Sequence, residues 1–172
     1  MTTSPSLPPE LLEKLRRGVP LRLKRQGGFE FDGEAVTHER IDAALRAGLD
    51  VTVDGEVIVH LGPQWCYLQV DDTPLRVVAV DVQGSTLYAR LDDGRQLELD
   101  PRCLWEEPGQ GTCTRVPSQR SGRGLDARFT NTAQMQLSPH IEWRDAQAVL
   151  VLGEQRHPIP AEAPRRHATP LP

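Results

Sequence analysis

The spacing of apolar residues changes in the first third of the chain, and the change separates a predicted helix from a predicted sheet. Ile41, Leu45 and Leu49 recur every four residues, which predicts a helix over about residues 38–47 with Thr37 as its N-cap. Farther along, apolar and polar residues tend to alternate, as they do in strands with one buried face. Asp-Gly and Gly-Ser turns divide this part into a predicted hairpin and an antiparallel meander. The predicted strands are residues 51–53, 57–59, 65–70, 75–82, 86–91 and 96–99.

The two ends of the chain differ from this middle part. Residues 1–9 hold three prolines among serines and threonines, and we expect them, like the tail after Pro160, to be disordered. Pro9 suits the first turn of a short helix that carries a narrow leucine stripe, basic residues near its end and Gly18 as its stop. A helix this short is marginal alone, so we expect it to pack on the body of the protein.

Downstream of the meander the composition changes twice. Residues 106–124 are rich in Gly, Pro, Ser and Arg and nearly empty of large apolar groups, which predicts a linker or a mobile loop. The pattern then predicts a strand, a short helix capped at Asn131 and a last set of strands. These elements are residues 125–130, 131–138, 141–143, 148–152 and 155–159.

A helix followed by strands therefore occurs twice, without a fixed-period sequence repeat. The predicted fold class is α+β, with two helix-plus-antiparallel-strand units that share a meander sheet, and with disordered termini. The predicted segments are an N-terminal tail with a short helix (1–25), a first α+β unit (26–105), the linker (106–124), a second, smaller α+β unit (125–160) and a disordered tail (161–172).

Charge is distributed unevenly along the 172 residues, whose formal net charge is −4. Residues 1–25 carry six Lys/Arg against two acids, residues 26–108 six against 17, and residues 109–172 eight against five. The acidic middle can attract the basic ends of its own chain or a basic partner, or each part can simply be solvated. The negative total argues against general nucleic-acid binding. No run approaches 18 apolar residues, so we expect no membrane span.

The cysteines bear on compartment and on metal binding. Cys66, Cys103 and Cys113 are odd in number and widely spaced, which suits a reducing cytoplasm better than a disulfide framework. The first residues lack the hydrophobic segment of a secretory signal, so we expect a cytoplasmic protein. The five histidines and the cysteines do not have the short spacings of metal sites, and we expect neither a metal nor a cofactor.

A Gly/Ser-rich stretch of fourteen residues contains four arginines and a single acid, Asp126. The arginines are Arg115, Arg120, Arg123 and Arg128. Arginine binds oxyanions through two parallel hydrogen bonds, so this segment is a weak candidate for holding a phosphate or a polyanion. It can equally lie across the acidic middle of its own chain or keep a loop solvated, and these internal or solvated alternatives weigh more.

Aromatic and acidic residues near residue 70 form the next candidates. Trp65 and Tyr67 share one predicted strand face, where packing is a commoner role than a ligand cage, and they stay weak candidates for ligand binding. Asp71 and Asp72 are adjacent and therefore point to opposite faces of a strand, which does not suit paired acid–base catalysis. An Asp ahead of Thr-Pro commonly accepts backbone N–H bonds, so we predict a structural turn at Asp71, Asp72 and Pro74.

Four short motifs, in this order, resemble a bacterial family known as domain of unknown function 1285. They are DGEAV at 32–36, VDDTPL at 70–75, LDAR at 125–128 and GEQRHPI at 153–159, and the resemblance covers about residues 27–160. It implies an α+β fold built from repeated helix-plus-strand units. It brings no established activity, and a part in signalling or ligand sensing is a proposal for that family.

Three hypotheses about function follow. The first is a non-catalytic binding or sensing module whose small ligand or partner sits against the sheet between the two units. The second is an interaction or assembly subunit that presents its acidic central face to a basic protein. The third is an enzyme with a dispersed site around Asp72 and His60, with His140 as a further candidate. An enclosed pocket that joins a histidine to Asp72 favours the enzyme, and a shallow apolar patch rimmed by charge favours the interaction subunit.

Overall fold

A computed structural model describes residues 7–164, and it contains three α-helices and sixteen strands in that range. The predicted disorder of residues 1–6 and 165–172 concerns residues outside this range. No helix within the described range is long and apolar enough to cross a membrane. The helices are α1 (Pro9–Arg17), α2 (Glu39–Ala47) and α3 (Asn131–Leu137), with short 3-10 turns at Pro101–Cys103 and Ser138–His140.

The strands are short and mostly joined by tight turns. They are β1 (Leu21–Leu23), β2 (Phe29–Phe31), β3 (Glu34–Ala35), β4 (Leu49–Val51), β5 (Val57–Leu61), β6 (Gln64–Tyr67), β7 (Gln69–Val70), β8 (Leu75–Gln83), β9 (Thr86–Leu91), β10 (Gln96–Leu99), β11 (Trp105–Glu107), β12 (Gly111–Pro117), β13 (Gly124–Phe129), β14 (Ile141–Arg144), β15 (Gln147–Leu152) and β16 (Gln155–Pro158).

Four sheets hold these strands. A six-stranded sheet has the order β10-β9-β8-β13-β12-β11, and a four-stranded sheet has the order β3-β2-β1-β7. Two three-stranded antiparallel sheets, β4-β5-β6 and β14-β15-β16, follow α2 and α3 respectively. The α+β class is therefore confirmed, and the order of a helix followed by a small antiparallel sheet occurs twice, as the pattern of apolar positions predicted.

The six-stranded sheet holds much of the core. Alternate residues of β9 are buried, as the period of two requires, and Val77, Leu87 and Leu125 are each exposed to 1% or less. The predicted meander is confirmed as β8, β9 and β10, which pair antiparallel in sequence order. β8 also pairs with β13 in parallel, from Leu75 and Ala127 onward, and this junction joins the meander to the later strands.

The prediction of a linker or mobile loop over residues 106–124 is wrong where this segment forms strands, whereas residues 118–123 form the loop between β12 and β13. The segment supplies most of β11 and all of β12, and Cys113, Thr114, Arg115 and Val116 are all buried. Its polar composition misled because the buried Arg115 has partners elsewhere in the chain, at Asp126 and Pro164. The division of the chain into units stays a prediction, although strands from both sides of the supposed linker share the six-stranded sheet.

In both interior helices the N-cap residue lies one position away from the predicted one, which was Thr37 for α2 and Asn131 for α3. α2 begins at Glu39 with His38 as N-cap, and that side chain makes no capping hydrogen bond. α3 begins at Asn131, and the capping oxygen is the Thr130 hydroxyl, which accepts a hydrogen bond from the Ala133 N–H at 3.3 Å. Leu45 and Leu49 are buried as predicted, but Ile41 is 52% exposed because it lies at the outer side of the first turn of α2.

The predicted strand over residues 65–70 is divided between two sheets. β6 pairs with β5, whereas β7 runs parallel to β1 in the four-stranded sheet. β1 also gives regular structure to a part of the chain that we predicted as tail, because Leu21 and Leu23 enter the core. Trp65 and Tyr67 share a face of β6 as predicted, with ring centroids 5.3 Å apart in an edge-to-face arrangement.

Candidate functional site

Strands β11, β12 and β13 place different chemistry on their two faces. Successive residues of a strand point to opposite sides, and the antiparallel register sets Cys113 opposite Arg128 and Arg115 opposite Asp126. We call one side the paired face. It carries Trp105, Glu107, Cys113, Arg115, Asp126 and Arg128.

Arg128 lies at the centre of the paired face and is 9% exposed. Its Nε and Nη2 atoms donate to the two carboxylate oxygens of Asp72 at 2.5 and 2.6 Å. Nη2 also donates to Glu107 at 2.7 Å, and Nη1 donates to the Gln110 carbonyl at 3.0 Å. These hydrogen bonds raise the pKa of Arg128, with Asp72 as the largest cause. The guanidinium is thus fully engaged inside the protein.

The Asp72 side chain has a different partner from the one predicted. Among the described residues, Asp72 accepts the Arg128 guanidinium rather than backbone N–H groups. The Thr73 hydroxyl organises this segment instead, because it donates to the Leu75 carbonyl and accepts from the Arg128 N–H. Asp71 accepts a 2.6 Å hydrogen bond from the Arg22 Nε. The segment between β7 and β8 is therefore held mainly by side chains.

The other three candidate arginines lie in different surroundings. Arg115 is buried, donates to Asp126 and to the Pro164 carbonyl, both at 2.8 Å, and lies 5.4 Å from the centre of the Trp105 ring. Arg120 is exposed, and Arg123 is partly buried with an Nε that has no hydrogen-bond partner within residues 7–164. The four arginines thus do not converge on one surface, and anion binding by Arg120 and Arg123 stays a prediction.

The three thiols are protected by burial. Desolvation raises the pKa of Cys113, on the paired face, to about 12. Burial likewise raises the pKa values of Cys66 and Cys103. Within the described part of the chain no three His, Cys, Asp or Glu side chains gather in a way that could hold a metal ion.

A cleft opens beside the opposite face of β11 and β12. Two neighbouring hollows of about 460 and 170 Å³ share four lining residues, which are Glu106, Trp143, Ala148 and Ile159. We call the two hollows together the Trp143 cleft. The larger hollow is mostly apolar, and the smaller hollow has polar walls from Thr112, Gln134 and Ser138. The cleft lies between the six-stranded sheet and the β14-β15-β16 sheet.

Two groups in the Trp143 cleft have unused binding capacity. The side chain of Trp143 is 64% exposed although it borders the apolar hollow. The carboxylate of Glu106 is partly buried and has no hydrogen bond or ion pair to any other residue in the described range, whereas the backbone N–H of Glu106 donates to Pro160. Thr112 stands opposite Glu106 across the strand pair. The cleft therefore offers an aromatic ring, an apolar floor and one negative charge.

Helix α1 covers the predicted aromatic candidates with cations of the same chain. The guanidinium of Arg16 lies 3.8 Å from the centre of the Trp65 ring, and that of Arg17 lies 3.8 Å from the centre of the Tyr67 ring. Arg17 also donates to both oxygens of Glu56, which lowers the pKa of that carboxyl group. These contacts hold α1 on β6, and ligand binding by the two aromatic residues stays a prediction.

A second polar cluster escaped prediction because its members are far apart in sequence. Asp50, on β4, accepts hydrogen bonds from the hydroxyls of Ser118 and Ser121 at 2.7 and 2.6 Å. The Nε2 atom of His60 lies 3.4 Å from the other Asp50 oxygen. In a catalytic triad the histidine stands between serine and aspartate, whereas here the aspartate is in the middle. The cluster anchors the loop between β12 and β13.

Comparison with solved structures bears on the fold. A DUF1285 family protein from Silicibacter pomeroyi DSS-3 matches with a TM-score of 0.65 and 17% identity over 82% of this chain and 79% of that chain. The chain has a DUF1285-like fold. A DUF1285 family protein from Shewanella baltica OS155 matches with a TM-score of 0.56 and 15% identity over 71% of this chain and 92% of that chain. No family model and no curated protein matches the sequence. The resemblance expected from the four motifs is confirmed for the fold.

Some signals for the Trp143 cleft were present in the sequence. Trp143 lies in a short strand between the charged residues Glu142 and Arg144. Glu106 and Glu107 are adjacent and fall at the start of the segment that we predicted as a linker or mobile loop. Nothing in the sequence showed that Arg128 pairs with Glu107 and leaves Glu106 without a cation.

Proposed function

We propose that this protein is a non-catalytic binding module and that its ligand occupies the Trp143 cleft. The observation that carries the proposal is a partly buried Glu106 carboxylate, without a partner among residues 7–164, beside an exposed tryptophan and an apolar floor. Ligand sites are commonly apolar hollows with a few placed polar groups. The position of the cleft agrees with the expectation of a ligand that sits against the sheet between the two units.

The charge of the cleft defines the class of ligand. Glu106 is its one charged lining residue within the described range, so the cleft favours a positively charged or hydrogen-bond-donating group. The Trp143 ring can stack on the same cation, and the larger hollow accommodates an apolar portion. We therefore propose an amphipathic ligand with a cationic end, such as an organic amine or a basic side chain of a partner protein.

The two alternative functions have weaker support. Four of the 17 acids in the acidic middle of the chain pair with arginines of the same protein, and these acids are Asp71, Asp72, Asp92 and Asp93. The negative charge that such a central face could offer to a basic partner is correspondingly smaller. For the enzyme hypothesis, Asp72 and His60 engage different residues, Arg128 and Asp50. A part in signalling belongs to the same proposal and rests on the resemblance to the family, and a cytoplasmic location rests on the pattern of cysteines.

A thermal-shift screen of the full chain tests the proposal. The probes are alkylamines, a short lysine-containing apolar peptide and, as the opposite charge class, nucleotides. We expect a cationic probe to raise the melting temperature, because a ligand at about 100 times its dissociation constant adds about 2.7 kcal/mol to the free energy of unfolding. Nucleotides should produce no shift.

Two variants then locate the binding site. Glu106→Gln keeps the shape of the side chain but removes its charge, and we expect it to weaken binding of the active amine at least tenfold. Glu142→Gln is the matched control, because that exposed carboxylate lies on β14 outside the cleft. Equal affinity in wild type and Glu106→Gln would overturn the proposed site, and turnover of a bound probe would support the enzyme instead.

A further inference from the structure

Within residues 7–164, helix α1 leaves an apolar surface uncovered beside its packing contact with β6. No residue of α1 is buried, and Leu11 and Leu15 keep 44% and 52% of their surface exposed. Next to them a groove of about 400 Å³ opens between α1 and the β5–β6 pair. Its apolar walls include Leu7, Leu12, Leu15, Val59, Leu61 and Trp65. We call this groove and the two exposed leucines the α1 patch.

The charges beside the α1 patch have a definite arrangement. Glu10 and Lys14 are four residues apart, so they lie on the same side of the helix, next to Leu11 and Leu15. Within the described part of the chain neither Glu10 nor Lys14 forms an ion pair. The other two arginines at the end of α1 are already engaged, since Arg16 lies on Trp65 and Arg17 pairs with Glu56. One flank of the patch therefore carries one free acid and one free base.

We propose that the α1 patch binds the α1 patch of a second copy of this chain, with the two helices antiparallel about a twofold axis near Leu12. In a twofold interface the same surface meets itself, so the surface must be self-complementary. The antiparallel direction places Glu10 of each copy opposite Lys14 of the other. It also makes Leu11 and Leu15 of the two copies alternate along the helix axis, above the apolar groove. A parallel twofold pair would instead place this flank of one copy against the other flank of its partner, so that Glu10 and Lys14 would not meet.

The small size of α1 makes this a weak dimer. A nine-residue helix and its neighbouring groove offer less surface than the roughly 800 Å² per partner of a stable complex. The free protein is therefore monomeric when dilute and dimeric when concentrated. The Trp143 cleft is lined by other residues, so this proposal does not rest on the proposed function.

Sedimentation velocity of the full chain at low ionic strength, from about 10 μM to about 1 mM, measures the association. We expect the average mass to rise toward that of a dimer, and Leu11→Asp to reduce the association constant at least tenfold. Ile41→Asp is the matched control, because Ile41 is 52% exposed on another nine-residue helix. Both substitutions are at exposed positions, and circular dichroism checks that each variant is folded.

Charge exchange tests the antiparallel geometry. Glu10→Lys and Lys14→Glu should each weaken self-association, an equimolar mixture of the two variants should associate again, and the double variant should associate like wild type. A wild-type chain that is still monomeric at the highest concentration would overturn the proposal. It would be overturned equally if Leu11→Asp had no effect, or if the patch instead bound vesicles containing anionic phosphatidylserine without self-association.

Discussion

The adjacent residues Glu106 and Glu107 lie on opposite faces of β11 and β12, and the two faces differ in whether the glutamate has a cationic partner. On the paired face Glu107 accepts a hydrogen bond from Arg128, which also donates to both carboxylate oxygens of Asp72. Arg115 pairs with Asp126 on the same face. On the other face Glu106 borders the Trp143 cleft without a cation from any of residues 7–164. The same strands thus carry a closed ionic network and an open carboxylate.

This difference separates charges that are satisfied within the protein from a charge that can still take a partner. A buried ion pair that is complete has no capacity left for a ligand, and removing one member leaves an uncompensated charge. A partly buried carboxylate without a cation can gain one from outside. Arg115 and Arg128, two of the four candidate arginines, lie on the paired face, and the Trp143 cleft lies on the other side of the same strands. We expect the proposed ligand on the side where the charge is unpaired.

Removal of Arg128 should have the largest effect on stability. Arg128→Ala leaves Asp72 and Glu107 without their shared cation, and we expect a loss of about 3–5 kcal/mol in the free energy of unfolding. Urea denaturation followed by tryptophan fluorescence measures this loss. Arg90→Ala is the control, because Arg90 is exposed on β9 and has no ion pair in the described range, and it should change stability by about 0.5 kcal/mol or less. Similar small losses in both variants would show that the paired face contributes little.

The paired face should also weaken at high pH. An unfolded cysteine has a pKa of about 8.5, whereas the folded Cys113 thiol titrates at about 12. Between these values the native state binds more protons than the unfolded state, so stability falls as pH rises above about 8.5. At about pH 10.5 the loss from this thiol is about 2–3 kcal/mol.

Comparison of pH series isolates the contribution of Cys113. Cys113→Ala lowers stability near neutral pH because it leaves a small cavity, but its stability should fall less steeply than that of wild type above about pH 8.5. Denaturant midpoints at a series of pH values give the two slopes. Identical slopes would mean that the thiol titrates normally and that the paired face is open to water.

The smallest effect is expected at the rim of the Trp143 cleft. Asp145 and Ala146 form the two-residue turn between β14 and β15, with φ angles of 48° and 65°. Such turns favour glycine at the second position because a Cβ is strained there. Ala146→Gly should therefore stabilise the protein by about 0.5–1 kcal/mol.

The hairpin of β2 and β3 allows the reverse substitution. The turn Asp32-Gly33 has the same backbone form, with φ angles of 50° and 81°, and nothing lies within 4 Å of an added Gly33 Cβ. Gly33→Ala should thus lose about the amount that Ala146→Gly gains, and thermal unfolding measures both. A gain in both variants would contradict the explanation by backbone strain.

The parts of the fold that local pattern determines were predictable. The meander of β8 to β10 has alternating apolar residues and turn glycines, and both appear in the sequence within a few residues of each other. The strands β11 and β12 were missed because their charged side chains take partners from farther along the chain. Glu107 of β11 accepts from Arg128, 21 residues away, and Arg115 of β12 donates to the Pro164 carbonyl, 49 residues away.

The candidate site was harder to predict for the same reason. Four arginines in a Gly/Ser-rich segment left both an external anion and internal partners open, with more weight on the internal or solvated alternatives, and Arg115 and Arg128 take their partners from within the protein. Identification of the unpaired Glu106 required knowledge of the strand register, which decides the face that each glutamate occupies. A one-residue change of register would exchange Glu106 and Glu107.

The parallel junction of β8 and β13 has a consequence for synthesis on the ribosome. Hairpins of neighbouring strands can form as soon as they emerge, but β8 waits for about fifty further residues before its second partner arrives. During that interval one side of β8 presents unbonded amide and carbonyl groups, which are a template for mispairing with another nascent chain. Slow translation through this interval should therefore increase the demand for chaperones.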